Sequence, residues 1–522
     1  MKHLKFIFIL FFSFFSWNLL AQTTMVPSVC SYKKSRGVLQ LGKNVEMVGF
    51  TPDVYASKTL LEDVLTKLSS TEKAHQVYLE TNTNLPSDGS YRILISASDV
   101  RIEASSTAGF CYGLNTLTLL AEENEGAIKQ GVIEDKPRLG WRGFMLDESR
   151  HFFGKEKVKQ YLDLMFRLKM NVFHWHLTDE PGWRIEIKKY PKLTTEGSIG
   201  NYHDPKAPAT FYTQDDIKEI VAYAAERSIM VVPEIDMPGH ATAACRSYPE
   251  ISGGGEGRWK HFTFHPCKEE TFSFINDVLD EVVALFPAPY IHVGGDEVHF
   301  GNQEWFTDPD IQKFIKDHDL KNETGLEHYF IRRIADMVAK KGKKLIGWDE
   351  IVDADVAPSK AIVMWWRHDR KYQLYKALER GYEVVLTPRR PLYGDFIQYA
   401  SHKQGRVWNG FNMLADIHRF PDSLGSLTDG YEEQIKGMQF NMWTEVIADN
   451  KRLDFMTFPR LIAVAESAWA DPKVKEYSLF MSRLPYWLRL LDNFQIYYFN
   501  PFCPEKTPEP LSPERDDVLR NG

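Results

Sequence analysis

The stretch from residue 142 to residue 177 contains RGFMLD (142–147), KEKVKQYLDLMFRLKM (155–170) and VFHWHL (172–177). The two outer segments are short apolar runs of strand length. The middle segment carries apolar residues spaced i, i+3, i+4, i+7 and i+10, which gives a helix one apolar face: Val158, Tyr161, Leu162, Met165 and Leu168. The stretch therefore predicts a strand, a helix and a second strand in succession.

The same alternation continues toward the C-terminus. Eight strand candidates occur in all: Arg142–Asp147, Val172–Leu177, Met230–Ile235, Tyr290–Gly294, Lys344–Trp348, Ala361–Trp365, Glu383–Leu386 and Gly437–Trp443. Eight strands, most of them followed by a helical segment over roughly 350 residues, predict an α/β fold of the closed (β/α)8 (TIM) barrel type. A doubly wound open sheet is the alternative, but the Gly-rich phosphate turn that usually follows its first strand is missing from the sequence.

A smaller unit precedes the predicted barrel, which we assign to residues 138–499. Residues 22–137 contain three β-like runs and two helical stretches: Val45–Val48, Tyr91–Ile95, Val100–Ala104, Thr59–Leu68 and Gly109–Ala121. This composition predicts a small α/β domain, a sheet with helices on one face. Asp135–Pro137 has the character of a linker.

Both ends of the chain have distinctive compositions. Residues 1–21 combine a positive start, an apolar run over Phe6–Phe15 and the small residue Ala21, which is typical of a secretory signal peptide. The apolar run is shorter than the about 20 residues that a membrane-spanning helix needs. We therefore expect an exported protein, periplasmic or extracellular, with no membrane span. Residues 500–522 are Pro-rich and predict a poorly ordered tail.

Charge and cysteine content exclude several classes of function. Acidic residues outnumber basic ones, 71 to 63, which argues against nucleic acid as a partner. The five cysteines are too few for a disulfide scaffold, although Cys245 and Cys267 flank a Gly-rich segment and would be able to pair across it. No cysteine spacing predicts a zinc site. We interpret the pair in His174-Trp175-His176 as structural, and we predict neither a metal nor another cofactor.

Polar and aromatic residues follow every predicted barrel strand. The segments are DESRH (147–151), HLTDE (176–180), DMPGH (236–240), GGDE (294–297), WDE (348–350), WWR (365–367), YGD (393–395) and WTE (443–445). Loops at the carboxyl ends of barrel strands meet at one face, so these side chains predict a single pocket. Carboxylates accept hydroxyl hydrogen bonds and Trp rings stack on apolar sugar faces, which indicates a neutral sugar as ligand.

Several of these segments resemble family 20 glycoside hydrolases, the β-N-acetylhexosaminidases. The similarity is carried by RH (150–151), HLTD (176–179), GWR (182–184), PEIDMPGH (233–240), HVGGDE (292–297), GWDE (347–350) and WTE (443–445). It covers roughly residues 30–490 and includes the small domain that precedes the barrel in this family. The resemblance implies an exo-acting enzyme that removes terminal non-reducing N-acetyl-hexosamine (GlcNAc or GalNAc) from glycans with retention.

The resemblance also implies a catalytic group in which the substrate supplies its own nucleophile. Family 20 is an exception to the two-carboxylate scheme of retaining glycosidases, because the 2-acetamido oxygen attacks and forms an oxazolinium intermediate. Glu297 is then the general acid and base, Asp296 orients the acetamido N–H, and Tyr393 holds the acetamido oxygen. We expect the adjacent Asp296 charge to raise the pKa of Glu297.

Further positions match the sugar-binding residues of the family. Arg150 matches the residue that binds the O3 and O4 hydroxyls, and Asp395 and Glu445 match acceptors for O4 and O6. Asp179 and His240 match a pair that tunes the catalytic acid.

Three tryptophans match the walls around the acetamido methyl and the sugar face: Trp348, Trp366 and Trp443. Trp365 is the alternative to Trp366, which we choose because it precedes Arg367.

Departures at Glu180-Pro181, Gly394 and Val298 affect the region beyond the first sugar, so linkage and aglycone preference stay open. Two alternatives also remain, a disaccharide-releasing enzyme of the lacto-N-biosidase type and a non-catalytic sugar-binding relative. The natural glycan, the GlcNAc to GalNAc preference and the oligomeric state are not determined by the sequence.

Overall fold

The computed structural model describes residues 25–513, so the predicted signal peptide lies outside the described residues. The first unit is a six-stranded sheet with the strand order β1-β6-β4-β5-β3-β2. Its elements are β1 (Ser31–Gln40), β2 (Val45–Val48), α1 (Tyr55–Leu68), β3 (His75–Thr81), β4 (Tyr91–Ile95), β5 (Asp99–Ala104), α2 (Thr107–Glu123) and β6 (Ala127–Asp135).

Three of these six strands were not predicted from the sequence. The edge strand β1 has the sequence SYKKSRGVLQ and only one buried residue, so it lacks the apolar alternation that marks a half-buried strand. Helix α2 packs closely on the sheet, since a Cβ added to Gly113 would lie 2.6 Å from Cγ2 of Ile102.

The second unit is a closed barrel of eight parallel strands, as predicted. Its elements are β7 (Trp141–Asp147), α3 (Lys155–Arg167), β8 (Val172–His176), α4 (Lys192–Thr195), α5 (Gln214–Ala225), β9 (Met230–Met237), α6 (Thr242–Ser247), α7 (Glu269–Leu285), β10 (Tyr290–Gly294), α8 (Pro309–Asp317), α9 (Glu323–Lys340), β11 (Lys344–Trp348), β12 (Ala361–Trp365), α10 (Lys371–Glu379), β13 (Glu383–Leu386), α11 (Arg389–Leu392), α12 (Leu414–Arg419), β14 (Ile435–Met442), α13 (Asn450–Thr457), α14 (Arg460–Trp469) and α15 (Tyr477–Asn493). Four predicted strands, β10 to β13, agree with the observed bounds to the residue, and β14 pairs with β7 to close the barrel.

The two units share a buried polar contact. Asp135, at the end of β6, lies 3.1 Å from the ammonium of Lys169, which follows α3 in the barrel. The indole N–H of Trp469 donates to the same carboxylate at 3.0 Å, and the Tyr91 hydroxyl donates to it at 2.5 Å. A buried carboxylate satisfied from both units fixes their relative position.

The structure answers one question that the sequence left open and corrects one expectation. All five cysteines are free, so Cys245 and Cys267 form no disulfide. The buried Cys245 thiol instead lies 3.5 Å from the carbonyl oxygen of Thr263. Residues 500–513 are also not a loose tail, because they lie along the barrel and Ser512 is only 6% exposed. Within residues 25–513 no helix is both long and apolar enough to cross a bilayer.

Candidate active site

A cavity of about 560 Å³ opens at the carboxyl ends of the barrel strands. Nine of the eleven site residues predicted from the sequence line it: Arg150, Asp179, His240, Asp296, Glu297, Trp366, Tyr393, Trp443 and Glu445. The other two, Trp348 and Asp395, are 1% exposed and lie behind residues that line the cavity. The barrel therefore brings together side chains that are up to 295 positions apart in the chain, Arg150 and Glu445.

The turn after β10 delivers the two predicted catalytic carboxylates. Gly294 and Gly295 both have positive φ angles, +67° and +93°, and a Cβ at Gly294 would lie 1.7 Å from the Asp236 carboxylate. Glu297 itself is left-handed, with φ of +54°, a conformation that costs energy for a residue other than glycine. This strained turn places Asp296 and Glu297 side by side at the cavity wall.

His240 connects these carboxylates to a charged network below them. Its Nε2 lies 3.7 Å from Oδ2 of Asp296 and 3.6 Å from Oε2 of Glu297. Its Nδ1 lies 2.9 Å from Oδ1 of Asp179, whose other oxygen is 2.7 Å from the Arg150 guanidinium. The pair of Asp179 and His240 therefore contacts both carboxylates, and the sequence had associated it only with Glu297.

The network continues into the barrel interior through Glu234. Its carboxylate lies 2.6 Å from Nδ1 of His176, 3.0 Å from Nε2 of His174 and 2.8 Å from Nδ1 of His292. Nε2 of His176 in turn lies 2.8 Å from Asp179. The His174 and His176 pair thus packs around a buried carboxylate beneath the cavity.

The pKa values of the catalytic pair differ from the sequence-based expectation. Burial, together with the charges of Glu297 and Glu234, raises the pKa of Asp296 to about 7. Burial also raises the pKa of Glu297, but the close contact and charge of His240, with Arg150 and Arg406, bring it below its usual value. The ligand-free pair therefore favours a proton on Asp296, which is the more deeply buried of the two, over Glu297, whose pKa the surrounding cations lower.

A residue that the sequence did not single out, Arg406, holds the predicted hydroxyl acceptors. Its Nε lies 2.5 Å from Oδ2 of Asp395, and its Nη2 lies 2.7 Å from Oε1 of Glu445. Within residues 25–513, the remaining oxygens, Oδ1 of Asp395 and Oε2 of Glu445, have no hydrogen-bond partner although they are buried. Each carboxylate thus has one oxygen fixed by Arg406 and one whose hydrogen-bonding capacity is not used by the described residues.

Aromatic rings form the inner walls. The rings of Trp366 and Tyr393 are nearly parallel, at 11°, with centroids 6.4 Å apart, and Trp443 lies 6.2 Å from Tyr393. Trp348 was predicted to form a wall of the cavity, but it does not reach the cavity. Its indole N–H instead donates to Glu234 at 3.1 Å, and its ring packs under Trp443. Trp365, the alternative to Trp366, is buried in the shell of packed side chains outside the strands.

The outer mouth of the cavity has two further aromatic groups. Trp259 and Phe300 stack with an angle of 5° between their rings and centroids 4.9 Å apart. Trp408 is 48% exposed, and the Arg406 guanidinium lies 4.6 Å from its ring. Glu180, noted above as a departure from the family pattern, also lines this mouth.

Comparisons with known proteins agree with this geometry. Residues 139–472 match the model described as glycosyl hydrolase family 20, catalytic domain, and residues 22–136 match glycosyl hydrolase family 20, domain 2. The chain belongs to glycoside hydrolase family 20. It is accordingly a glycoside hydrolase with the two-unit architecture of that family.

Named relatives cover most of the chain. A β-hexosaminidase of Porphyromonas gingivalis is 36% identical over 81% of this chain and 56% of its own length, so the present chain spans just over half of that relative. A β-N-acetylhexosaminidase of Cellulomonas fimi is 31% identical over 85% of this chain and 90% of its own. The solved exo-β-N-acetylglucosaminidase of Vibrio harveyi, in complex with N-acetylglucosamine, is 30% identical, with a TM-score of 0.82 over 92% of this chain and 79% of its own.

Proposed function

We propose that the protein is an exo-acting β-N-acetylhexosaminidase that removes terminal non-reducing N-acetyl-hexosamine residues from glycans. The observation that carries this proposal is the convergence of Asp296, Glu297 and Tyr393 in one cavity whose inner end holds the polar group of Arg150, Arg406 and Glu445. Relatives named β-hexosaminidase or β-N-acetylhexosaminidase, 31–36% identical to this chain, support the same activity.

The sugar binds with its non-reducing hydroxyls toward the polar inner end. Arg150 stays charged, because burial lowers its pKa but the carboxylates of Asp179 and Asp147 raise it well above the usual range. A charged guanidinium fork donates to two hydroxyls at once, and the unpartnered oxygens of Asp395 and Glu445 accept from others. Trp443, whose ring lies 5.0 Å from the Arg150 guanidinium, provides the apolar surface for the sugar ring.

The acetamido group of the substrate supplies the nucleophile. Burial raises the pKa of Tyr393 well above its usual value, so its hydroxyl keeps its proton and donates to the acetamido oxygen. Asp296 accepts from the acetamido N–H and offsets the positive charge of the oxazolinium. The oxygen then attacks C1 while Glu297 gives its proton to the leaving oxygen, and Glu297 later takes a proton from the water that opens the ring.

This scheme requires the proton of the ligand-free pair to move from Asp296 to Glu297. His240 Nε2 is nearly equidistant from the two carboxylates, at 3.7 and 3.6 Å. A shift of under about 1 Å brings it within hydrogen-bond distance of either one. The imidazolium gives its Nε2 proton to Glu297 and takes the proton of Asp296, which leaves Asp296 ionised for the acetamido N–H.

The two alternatives left open by the sequence are less well supported. A disaccharide-releasing enzyme needs room beyond the O3, O4 and O6 hydroxyls. Asp395 and Glu445, both bound by Arg406, occupy that region. A non-catalytic sugar-binding relative would lack the acid or the amide-orienting group, and both Glu297 and Asp296 are present.

Inhibition by two mechanism-specific compounds tests the proposal. A thiazoline that mimics the cyclised intermediate should inhibit strongly, because the cavity is complementary to that species. Asp296→Asn should lower both turnover and thiazoline affinity, since the amide carries no charge to balance the oxazolinium. A covalent 2-fluoro-sugar adduct on an Asp or Glu, seen by mass spectrometry together with indifference to the thiazoline, would contradict substrate assistance.

We further propose that the protein is exported. The support is the composition of residues 1–21, a positive start followed by an apolar run and a small residue. Expression in a bacterial host and N-terminal sequencing of the mature protein would test this, with cleavage after Ala21 as the expected result. An intact N-terminus in the cytosolic fraction would contradict it.

A further inference from the structure

The C-terminal strap, which we define as residues 508–512, lies against the outer side of a loop of the sugar site. The Glu509 carboxylate accepts from the backbone N–H groups of Lys403 at 2.6 Å and Gln404 at 3.1 Å. It also lies 3.2 Å from the guanidinium of the fully buried Arg452. Three donors from the barrel unit therefore fix one strap carboxylate that is largely buried, with its side chain 8% exposed.

Ser512 connects the strap to two loops at once. Its backbone N–H donates to the Gln404 side chain at 2.7 Å, and its carbonyl accepts from the same amide at 3.1 Å. Its hydroxyl donates to the Val446 carbonyl at 2.8 Å and accepts from the Ala448 N–H at 2.9 Å. All four bonds are well within the normal range, so the residue bridges the loops at Gln404 and at Val446.

Each bridged position is next to a residue of the sugar site. Gln404 precedes Arg406 by two positions, and Val446 follows Glu445 directly. On the cavity side the two loops are joined by the pair of Arg406 and Glu445 at 2.7 Å. On the outer side they are joined by the strap and by Arg452, which donates to the carbonyls of Gln404 and Val446, each at 2.6 Å.

The loop that carries Arg406 is long and irregular, and it is held by two backbone hydrogen bonds of Arg406, to Asp395 and Ile397, and by contacts from other segments. It runs from the end of α11 at Leu392 to the start of α12 at Leu414 without a regular helix or strand. Val407 and Trp408, just after Arg406, are 51% and 48% exposed. Loops of this length keep a fixed geometry only when other segments hold them, and a sub-ångström displacement is enough to weaken a binding group.

We propose that Glu509 and Ser512 are positioning residues for the site that binds the O4 and O6 hydroxyls, acting through Arg406 and Glu445. This inference rests on the proposed function, because it assigns those hydroxyls to the inner end of the cavity. The strap sets the spacing of the two loops, so the carboxylates of Asp395 and Glu445 are ready to accept when the sugar arrives. Preorganisation of this kind lowers the barrier without any contact between strap and substrate.

Steady-state kinetics on two aryl glycosides test the proposal. One substrate is an aryl N-acetyl-β-glucosaminide with an activated leaving group, and the other is its 4,6-dideoxy analogue. The variants are Glu509→Gln and Ser512→Ala, and Glu505→Gln is the matched control at an exposed position shortly before the strap. We expect both variants to lose at least about fivefold in kcat/KM on the full substrate and less than about twofold on the analogue.

The comparison separates positioning from a general loss of structure. A variant that only unfolds in part would lose activity equally on both substrates, and that result, or unchanged kinetics on both, would overturn the inference. If circular dichroism shows that Glu509→Gln does not fold, the kinetics of Ser512→Ala alone test the proposal, because that substitution removes a single hydroxyl group. Wild-type protein that released no aryl group from either compound would overturn both the inference and the proposed function.

Discussion

At the residue scale, His240 is the group that joins the two carboxylates of the site. It lies between Asp179 and the pair of Asp296 and Glu297, with φ of +55°. Burial lowers its pKa, but the charges of Asp179 and Asp236 raise it well above the usual value, so it is a cation at neutral pH. A cation beside two carboxylates lowers the pKa of both, so His240 favours the ionised forms of Asp296 and Glu297.

Replacement of the proposed general acid, Glu297, should separate catalysis from binding. We expect Glu297→Gln to lower turnover of natural glycans by about 10²–10⁴-fold or more, because proton donation to a poor leaving group is lost. Sugar affinity, measured by calorimetry with GlcNAc, should change little, because the amide keeps the shape of the side chain. The control is Glu270→Gln, the same change at an exposed position on α7. Near wild-type turnover by Glu297→Gln would remove this residue from the role of acid.

The catalytic pair should also set the pH dependence. Below about pH 7 the ligand-free pair holds the one proton that the reaction needs, and above it this proton is lost. We therefore expect kcat/KM to fall as the pH rises through about 7, since this parameter reports ionisations of the free enzyme. In Asp296→Asn the proton must reside on Glu297, whose pKa is lowered, so the falling limb should move to lower pH. A profile that stays flat from pH 6 to pH 8 would be incompatible with this assignment.

At the element scale, the turn after β10 shows how a strand end becomes a site. Gly294 accepts a backbone conformation that few other residues adopt, and its missing side chain leaves room for Asp236. A side chain at this position would displace the turn that carries Asp296 and Glu297.

Alanine substitutions at two glycines with similar φ angles distinguish the cost of backbone strain from the cost of steric crowding. Gly342→Ala, with φ of +75° and no atom within 4 Å of the new Cβ, should cost only the left-handed backbone penalty of about 1–2 kcal/mol. Gly294→Ala, with φ of +67°, should cost more and should also abolish activity, because its Cβ would meet the Asp236 carboxylate. Thermal melts and kinetics of both variants provide the measurement. Equal melting points with activity retained would show that the turn tolerates the added carbon.

At the scale of the whole molecule, the two units are held together by buried charge. Lys169 and Asp135 are both almost completely buried where the small sheet meets the barrel. Removal of one partner of a buried pair leaves the other charge without compensation.

The loss of that pair should destabilise the protein as a whole. Lys169→Met should lower the free energy of unfolding by about 3–5 kcal/mol, and we expect both units to melt in one transition. Lys33→Met is the control, because Lys33 is exposed and lies 3.7 Å from its partner Glu134, so the melting point should not change. Scanning calorimetry that resolved two independent transitions would show that the units are energetically separate.

The strand pattern and the polar strand ends were readable from the sequence because both are local. Periodicity along the chain fixes which segments form strands, and β10 to β13 were predicted to the residue. A barrel then brings every strand end to one face, so the convergence of Arg150, His240 and Glu297 followed from the fold class alone. The edge strand β1 was missed because its exposed residues leave no apolar signal.

Tertiary structure alone decided the features that depend on contacts between distant segments. Arg406 belongs to a loop without periodicity, and only folding places it between Asp395 and Glu445. The proton preference of Asp296 over Glu297 follows from the deeper burial of Asp296 and from the cations around Glu297, neither of which adjacency in sequence encodes. The Pro-rich composition of residues 500–513 suggested a loose tail, but Glu509 and Ser512 find their partners more than 50 positions away. Local pattern determines the elements of this protein, whereas charge pairing and loop positions require the closed barrel that brings those elements together.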